Sequence, residues 1–132
     1  MTVYVQGASA LAYYRTGYAE VDVQQCSQSV RNLRGATSSR SEIREMGIGR
    51  LGIGEPSPER PLEVLVRKAS QRSRSQVVHA RVWSGEIPRT AFRQVGKGLY
   101  VSSPEFVFLQ MATRLDLPQL VALGMELCGT YF

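Results

Sequence analysis

The stretch from residue 99 to 106 constrains the fold most. Leu99-Tyr100-Val101 reads as a short strand. Directly after it, Ser102 and Glu105 stand at capping-box spacing, with Val101 and Phe106 where a hydrophobic staple forms. Pro104 falls in the first turn, where its missing N–H costs little. A helix is expected from there through Phe106, Leu109 and Thr113 to about Arg114. Asp116 caps a second helix, with Pro118 in its first turn and Gly129 as its stop. Its apolar positions Leu117, Leu120, Val121, Gly124, Met125 and Cys128 follow a 3.6-residue period. The pair forms a helical hairpin that needs a sheet to cover, which gives an α+β class.

Strands for that sheet can be found along the chain. Thr2 to Val5 is β-branched and aromatic, Leu62 to Val66 alternates, and 76–83 carries Val78, Ala80 and Val82 on one face. Residues 91–95 are strand-like and turn through Gly96-Lys97-Gly98 into Leu99. Ser9 is placed to cap a helix over 10–15, on which Ala10, Tyr13 and Tyr14 share a face. The expected fold is a small mixed or antiparallel sheet from 2–5, 62–66, 76–83 and 99–101. Helices near 9–15, 104–114 and 117–128 cover it.

At 132 residues the chain has the size of one domain. Residues 16–60 are its excursion, flexible or partly helical. They are rich in Ser, Gln, Gly and Arg, and 47–61 hold four glycines and three prolines. A long structureless loop is rare inside a compact domain, so a short helix at 38–46 is preferred, with Ser39 and Glu42 in capping-box relation.

Several functions are excluded by what the chain lacks. No apolar run approaches the roughly 20 residues that span a bilayer, and the first fifteen residues lack the pattern of a secretory signal, so no membrane partner and a cytoplasmic location are expected. Cys26 and Cys128 lie in unlike surroundings and read as separate thiols. With His79 the sole histidine and no cysteine pair, a zinc site lacks ligands. A metal-dependent nuclease needs converging carboxylates with a lysine, yet Glu63 and Lys68 would fall on opposite faces of an extended strand. No GxSxG elbow supports a triad, and GIGRLGIG has no following Lys-Ser/Thr. The expectation is a non-catalytic domain with no cofactor and no metal.

Charge supplies the positive signal. Residues 1–66 balance seven arginines against seven acids, whereas 67–97 hold eight basic groups against Glu86 alone, a net of +7 within the chain's +5. Arg67, Lys68, Arg72 and Arg74 lie between two strands as a phosphate-contacting loop would, with Arg81 on the strand that follows. These five are the candidate nucleic-acid-binding residues, and the phosphate backbone of DNA or RNA is the expected partner. The competing reading is a protein-protein interaction or homodimerisation module without nucleic-acid binding. Tyr13, Tyr14, Tyr18 and Tyr131 would be its interface, since amphipathic rings are common there.

Three segments together carry a resemblance: 8–15 (ASALAYYR), 61–85 (PLEVLVRKASQRSRSQVVHARVWSG) and 99–131 (LYVSSPEFVFLQMATRLDLPQLVALGMELCGTY). They resemble the amino-terminal part of an actinobacterial protein family. In its longer members this part is followed by a very-short-patch-repair-like, restriction-like endonuclease domain. More distantly, the order of Ser9-Ala10-Leu11, Val64 to Arg74 and Val101-Ser102-Ser103-Pro104-Glu105 is similar to the type IV abortive-infection antitoxin fold. The resemblance covers about half the chain, and none of the nuclease core's acids or lysines maps onto it. It implies a regulatory or recognition domain associated with nucleic acid or bacterial defence, with a toxin or nuclease domain as partner.

Overall fold

A computed structural model of the chain describes residues 1–16 and 27–130. Five strands, β1 (Val3–Val5), β2 (Leu62–Val66), β3 (Val78–Val82), β4 (Phe92–Gly96) and β5 (Leu99–Ser102), form one mixed sheet ordered β3-β2-β1-β5-β4. β1 is antiparallel to β2 and parallel to β5, β2 and β3 are parallel, and β4 and β5 make an antiparallel hairpin. Five α-helices accompany it: α1 (Gly7–Arg15), α2 (Gln28–Arg31), α3 (Arg40–Glu45), α4 (Pro104–Met111) and α5 (Leu117–Thr130). The chain is thus α+β, with the N-terminal helix and C-terminal helical pair expected from its periodicity.

Both sheet faces are covered, which is why β1 is apolar throughout rather than alternating. On one face Val3, Val5, Leu62, Val64, Leu99 and Val101 pack with Tyr13 and Tyr14 of α1, Ile43 of α3, Met111 of α4 and Leu127 of α5. On the other, Tyr4, Leu65 and Phe92 meet Val30 of α2, Leu33, Ile87 and Phe106. Aromatic contacts tighten this second layer, with the Tyr4 and Phe92 ring centres 5.2 Å apart and those of Phe92 and Phe106 5.5 Å apart. The segment after α2 is pinned to the start of β1, where Thr2 N donates to Gly35 O at 2.8 Å and Thr37 N to Thr2 O at 3.1 Å. The part of the 16–60 excursion within the described residues is therefore structured. It holds α2, α3 and a 3-10 turn at Ile48–Leu51.

Several local expectations are corrected. α1 begins at Gly7 with Gln6 as its N-cap, two residues before Ser9. Ser9 turns its hydroxyl to the neighbouring strand instead, accepting from Glu63 N at 2.9 Å. Gly7 has φ of +59°, and a Cβ there would lie 3.1 Å from Arg114 Nη1, so only glycine suits the position. The N-cap of α4 is Ser103, whose Oγ accepts from Phe106 N, while Ser102 is buried in β5. α4 ends at Met111 rather than near 114, and α5 continues past Gly129. Ser39 does precede α3, but it makes no side-chain cap bond: its hydroxyl stands 3.1 Å from Ser41 Oγ, and the Glu42 carboxylate accepts from the Thr37 hydroxyl instead of closing a capping box. Asp116 behaves as expected: its carboxylate accepts from Gln119 N at 2.9 Å while Asp116 N donates to Gln119 Oε1 at 3.1 Å.

The largest correction concerns the packed face of α5. Leu123 and Leu127 are buried, whereas Leu117, Val121 and Met125 are exposed at 72%, 53% and 72%. The apolar positions picked out by their 3.6-residue period lie largely on the outer side of the helix.

Candidate nucleic-acid interface

Parallel strands need a crossover, and between β2 and β3 this one is too short for a full helix. It contains only a 3-10 turn, Ala69–Gln71, closed by the Gln71 side chain, whose Oε1 accepts from Arg67 N at 2.9 Å and Lys68 N at 3.0 Å. Ser38, buried just before α3, then staples the crossover to the preceding segment. Its hydroxyl donates to Gln71 O and accepts from Ser73 N at 2.8 Å, while Ser73 Oγ donates to Ser38 O. Every bond in this set involves a backbone group, so the loop has a defined path rather than a solvated one.

That staple sets Arg74 beside α3. Arg40 and Arg44, one turn apart on α3, and Arg74 line a single open groove of about 1080 Å³, together with the serines at 39, 41, 73 and 75. All three arginines are exposed, and none is in an ion pair among the described residues. Glu45 is the one acid on the groove wall. A second, narrower cavity of about 170 Å³ opens beside it, sharing Arg40, Arg44 and Val77.

The five sequence candidates are only partly brought together. Arg74 lines the groove, and Lys68 and Arg72 are exposed along the crossover. Arg67 is also exposed, but its Nη1 leans on Trp83 O at 3.4 Å, at the far end of β3. Arg81 is held apart from the groove. It is half-buried, donates to Gln110 O at 3.3 Å, and stacks over Trp83 at 5.5 Å. Arg93, counted in the basic segment, is withdrawn altogether: it is 5% exposed, with its guanidinium 5.3 Å from the centre of the Tyr14 ring. Sequence reasoning missed Arg40 and Arg44 because residues 1–66 sum to zero charge. The available signal was their i, i+4 spacing around the apolar Ile43, which puts both on the outer side of a short helix.

Two of the four candidate interface tyrosines lie in the chain's own core. Tyr13 and Tyr14 are buried edge-to-face at 5.3 Å, and the Tyr14 hydroxyl donates to Ser102 O at 2.7 Å. Burial pushes the Tyr14 phenol well above the ordinary tyrosine range, with Arg93 opposing that shift. Tyr18, Tyr131 and Cys26 lie outside the described residues.

Glu63 accepts from Ala8 N at 3.1 Å and pairs with Arg114 at 2.5 Å, so the carboxylate once weighed against Lys68 is committed to the first turn of α1. Among the described residues no three His, Cys, Asp or Glu side chains stand together to hold a metal ion, and no helix is long and apolar enough to cross a membrane. No protein-family model, curated protein or solved structure matches the chain.

Proposed function

We propose that this is a non-catalytic, nucleic-acid-associated domain of antitoxin-like regulatory character, acting in the cytoplasm, that holds a DNA or RNA phosphate backbone in the groove between α3 and the β2–β3 crossover. One observation carries the reading: three exposed arginines, none of them in an ion pair among the described residues, come from segments some thirty positions apart and are brought along one groove by the Ser38–Ser73 staple. Guanidinium forks match phosphate oxygens, and the interleaved serine hydroxyls are further donors to them. Such contacts fix position on a backbone and carry little sequence information, which suits a regulatory or recognition domain working beside a toxin or nuclease domain.

The test is a salt titration. Affinity for a labelled DNA duplex should fall linearly with salt on a log–log scale, and replacing Arg40, Arg44 and Arg74 together by alanine should lower the slope by roughly 2.7 if each releases one phosphate. An Arg89→Ala control, at an exposed position outside the groove, should leave the slope unchanged. Absence of binding at 50 mM salt refutes the reading. A second reading, an interaction or homodimerisation module, draws on the exposed Leu117–Val121–Met125 ridge of α5. Sedimentation at tens of micromolar decides its homomeric form, and a strict monomer counts against it.

A further inference from the structure

The C-terminal helical pair carries apolar surface that the chain's own core does not use. Leu117, Val121 and Met125, spaced by four along α5, are exposed at 72%, 53% and 72%. That spacing is close to one helical turn, so the three form a ridge along one side of the helix. Cys128 is exposed and falls on the same side. Phe108 of α4, 36% exposed, abuts the ridge through Gly124, where a Cβ would come within 3.1 Å of the Phe108 ring. The core takes Leu123 and Leu127 from a different side of α5. We infer that this ridge is the contact between two copies of the chain, with α5 packed antiparallel on the α5 of the other copy about a two-fold axis at Val121. This rests on the homomeric reading above and adds to it a surface and a register. It shares no residue with the arginine groove.

Charge selects the occupant. From 117 to 130 the sole charged residue is Glu126, and Arg15 of α1 engages it. A nucleic acid, an anionic membrane surface or a charged peptide would find no opposite charge along the ridge, whereas a second copy brings an equally uncharged face and no like-charge repulsion. Area sets the strength. With Phe108 and Cys128 the ridge presents on the order of 450 Å² of apolar surface, a size at which a patch marks an interaction site. Two copies joined there bury about 1,000 Å² once the polar rim is included, the lower limit for a specific interface. A weak, reversible dimer follows, with a Kd on the order of 10 μM. Direction follows from the helix dipoles. Antiparallel packing sets the positive end of each α5 beside the negative end of the other, whereas parallel packing sets like ends together. A two-fold contact centred on Val121 then places Leu117 of each copy against Met125 of the other.

The experiment is sedimentation equilibrium over about 1–300 μM, a range that brackets such a Kd. The wild type is compared with Leu117→Lys, Met125→Glu and the double variant. Both positions are exposed, so the fold should tolerate each change, and a urea midpoint checks that it does. Either single change should weaken dimerisation by about tenfold or more, since it sets a charge against an apolar side chain of the other copy. The double variant should associate more tightly than either single, because the introduced lysine of each copy meets the introduced glutamate of the other. Eight positions apart on one helix, roughly 12 Å, the two cannot pair within a chain. Added salt should weaken the double variant's dimer and leave that of the wild type unchanged. A wild type that stays monomeric throughout overturns the dimer, and with it the homomeric reading, and leaves the ridge to a different apolar partner. A dimer indifferent to both single changes overturns the ridge as its contact while the homomeric reading stands. A double variant weaker than both singles, the outcome of like charges meeting, overturns the antiparallel register.

Discussion

Replacing Gln110 by leucine should destabilise the protein more than any single loss of a surface charge. Gln110 is fully buried on α4. Its Oε1 accepts from Gly7 N at 2.8 Å and its Nε2 donates to Ser102 Oγ at 2.9 Å, which in turn donates to Val5 O at 3.0 Å. One side chain thus ties the first turn of α1, β5 and the end of β1 to α4. Leucine keeps nearly the same volume, so the loss is polar. The Gly7 N–H is among the donors that a helix start leaves without an intrahelical partner, and burial denies it water. An orphaned buried donor costs about 1–3 kcal/mol, and the serine hydroxyl loses its donor as well. The expected destabilisation is about 2–3 kcal/mol, a fall in Tm of roughly 10 °C for a chain of this size. Urea denaturation followed by circular dichroism should show a lower midpoint with an unchanged m-value. Combining the change with Ser102→Ala should cost less than the sum of the two singles by about 1 kcal/mol, because both break the same bond. A loss below about 0.5 kcal/mol would show that Gly7 N–H finds another partner and that Gln110 does not hold this junction.

Two pH effects follow from the structure. Tyr14 has its phenol raised chiefly by burial, so the unfolded chain ionises first; the stability it contributes is intact below the ordinary value of 10.0 and falls as pH rises beyond it. Tyr14→Phe should flatten the loss of stability between pH 9 and 11, at a cost of about 1 kcal/mol at neutral pH for the bond to Ser102 O. An unchanged alkaline profile would contradict the assignment. Glu126 behaves oppositely. The hydrogen bond from Arg15 holds its carboxyl below the ordinary range, so its contribution is present above that range and is lost as pH falls through it. Both side chains are partly exposed, and Glu126→Gln should cost no more than a few tenths of a kcal/mol at pH 7 and progressively less as pH falls below the ordinary carboxylate range, read as the difference in urea midpoints from wild type.

Much of the secondary structure was legible because its rules act over a few residues. Alternation marked β2, and Asp116 with Pro118 marked the start of α5. The Gly96-Lys97-Gly98 turn was equally plain, since Gly98 at φ +69° needs no neighbour to explain it. The same locality explains the errors. Ser102 and Ser103 both suit a cap before Pro104, and the choice falls to Ser103 because Ser102 is taken by Gln110 and Val5, partners 8 and 97 positions away.

The sequence by itself determined the types of the elements outside residues 16–60, the α+β class and the excess of positive charge after residue 66, because propensity, period and charge are properties of neighbours along the chain. Only the tertiary structure decided which face of α5 is buried, since the helix carries leucines around its circumference and the period cannot choose among them. It alone placed Arg93 inside, bound Arg81 to α4, and set Arg74 beside Arg40 and Arg44 through two serines 35 residues apart. A groove is a relation between surfaces that meet only on folding, and no count of charge along the chain contains it.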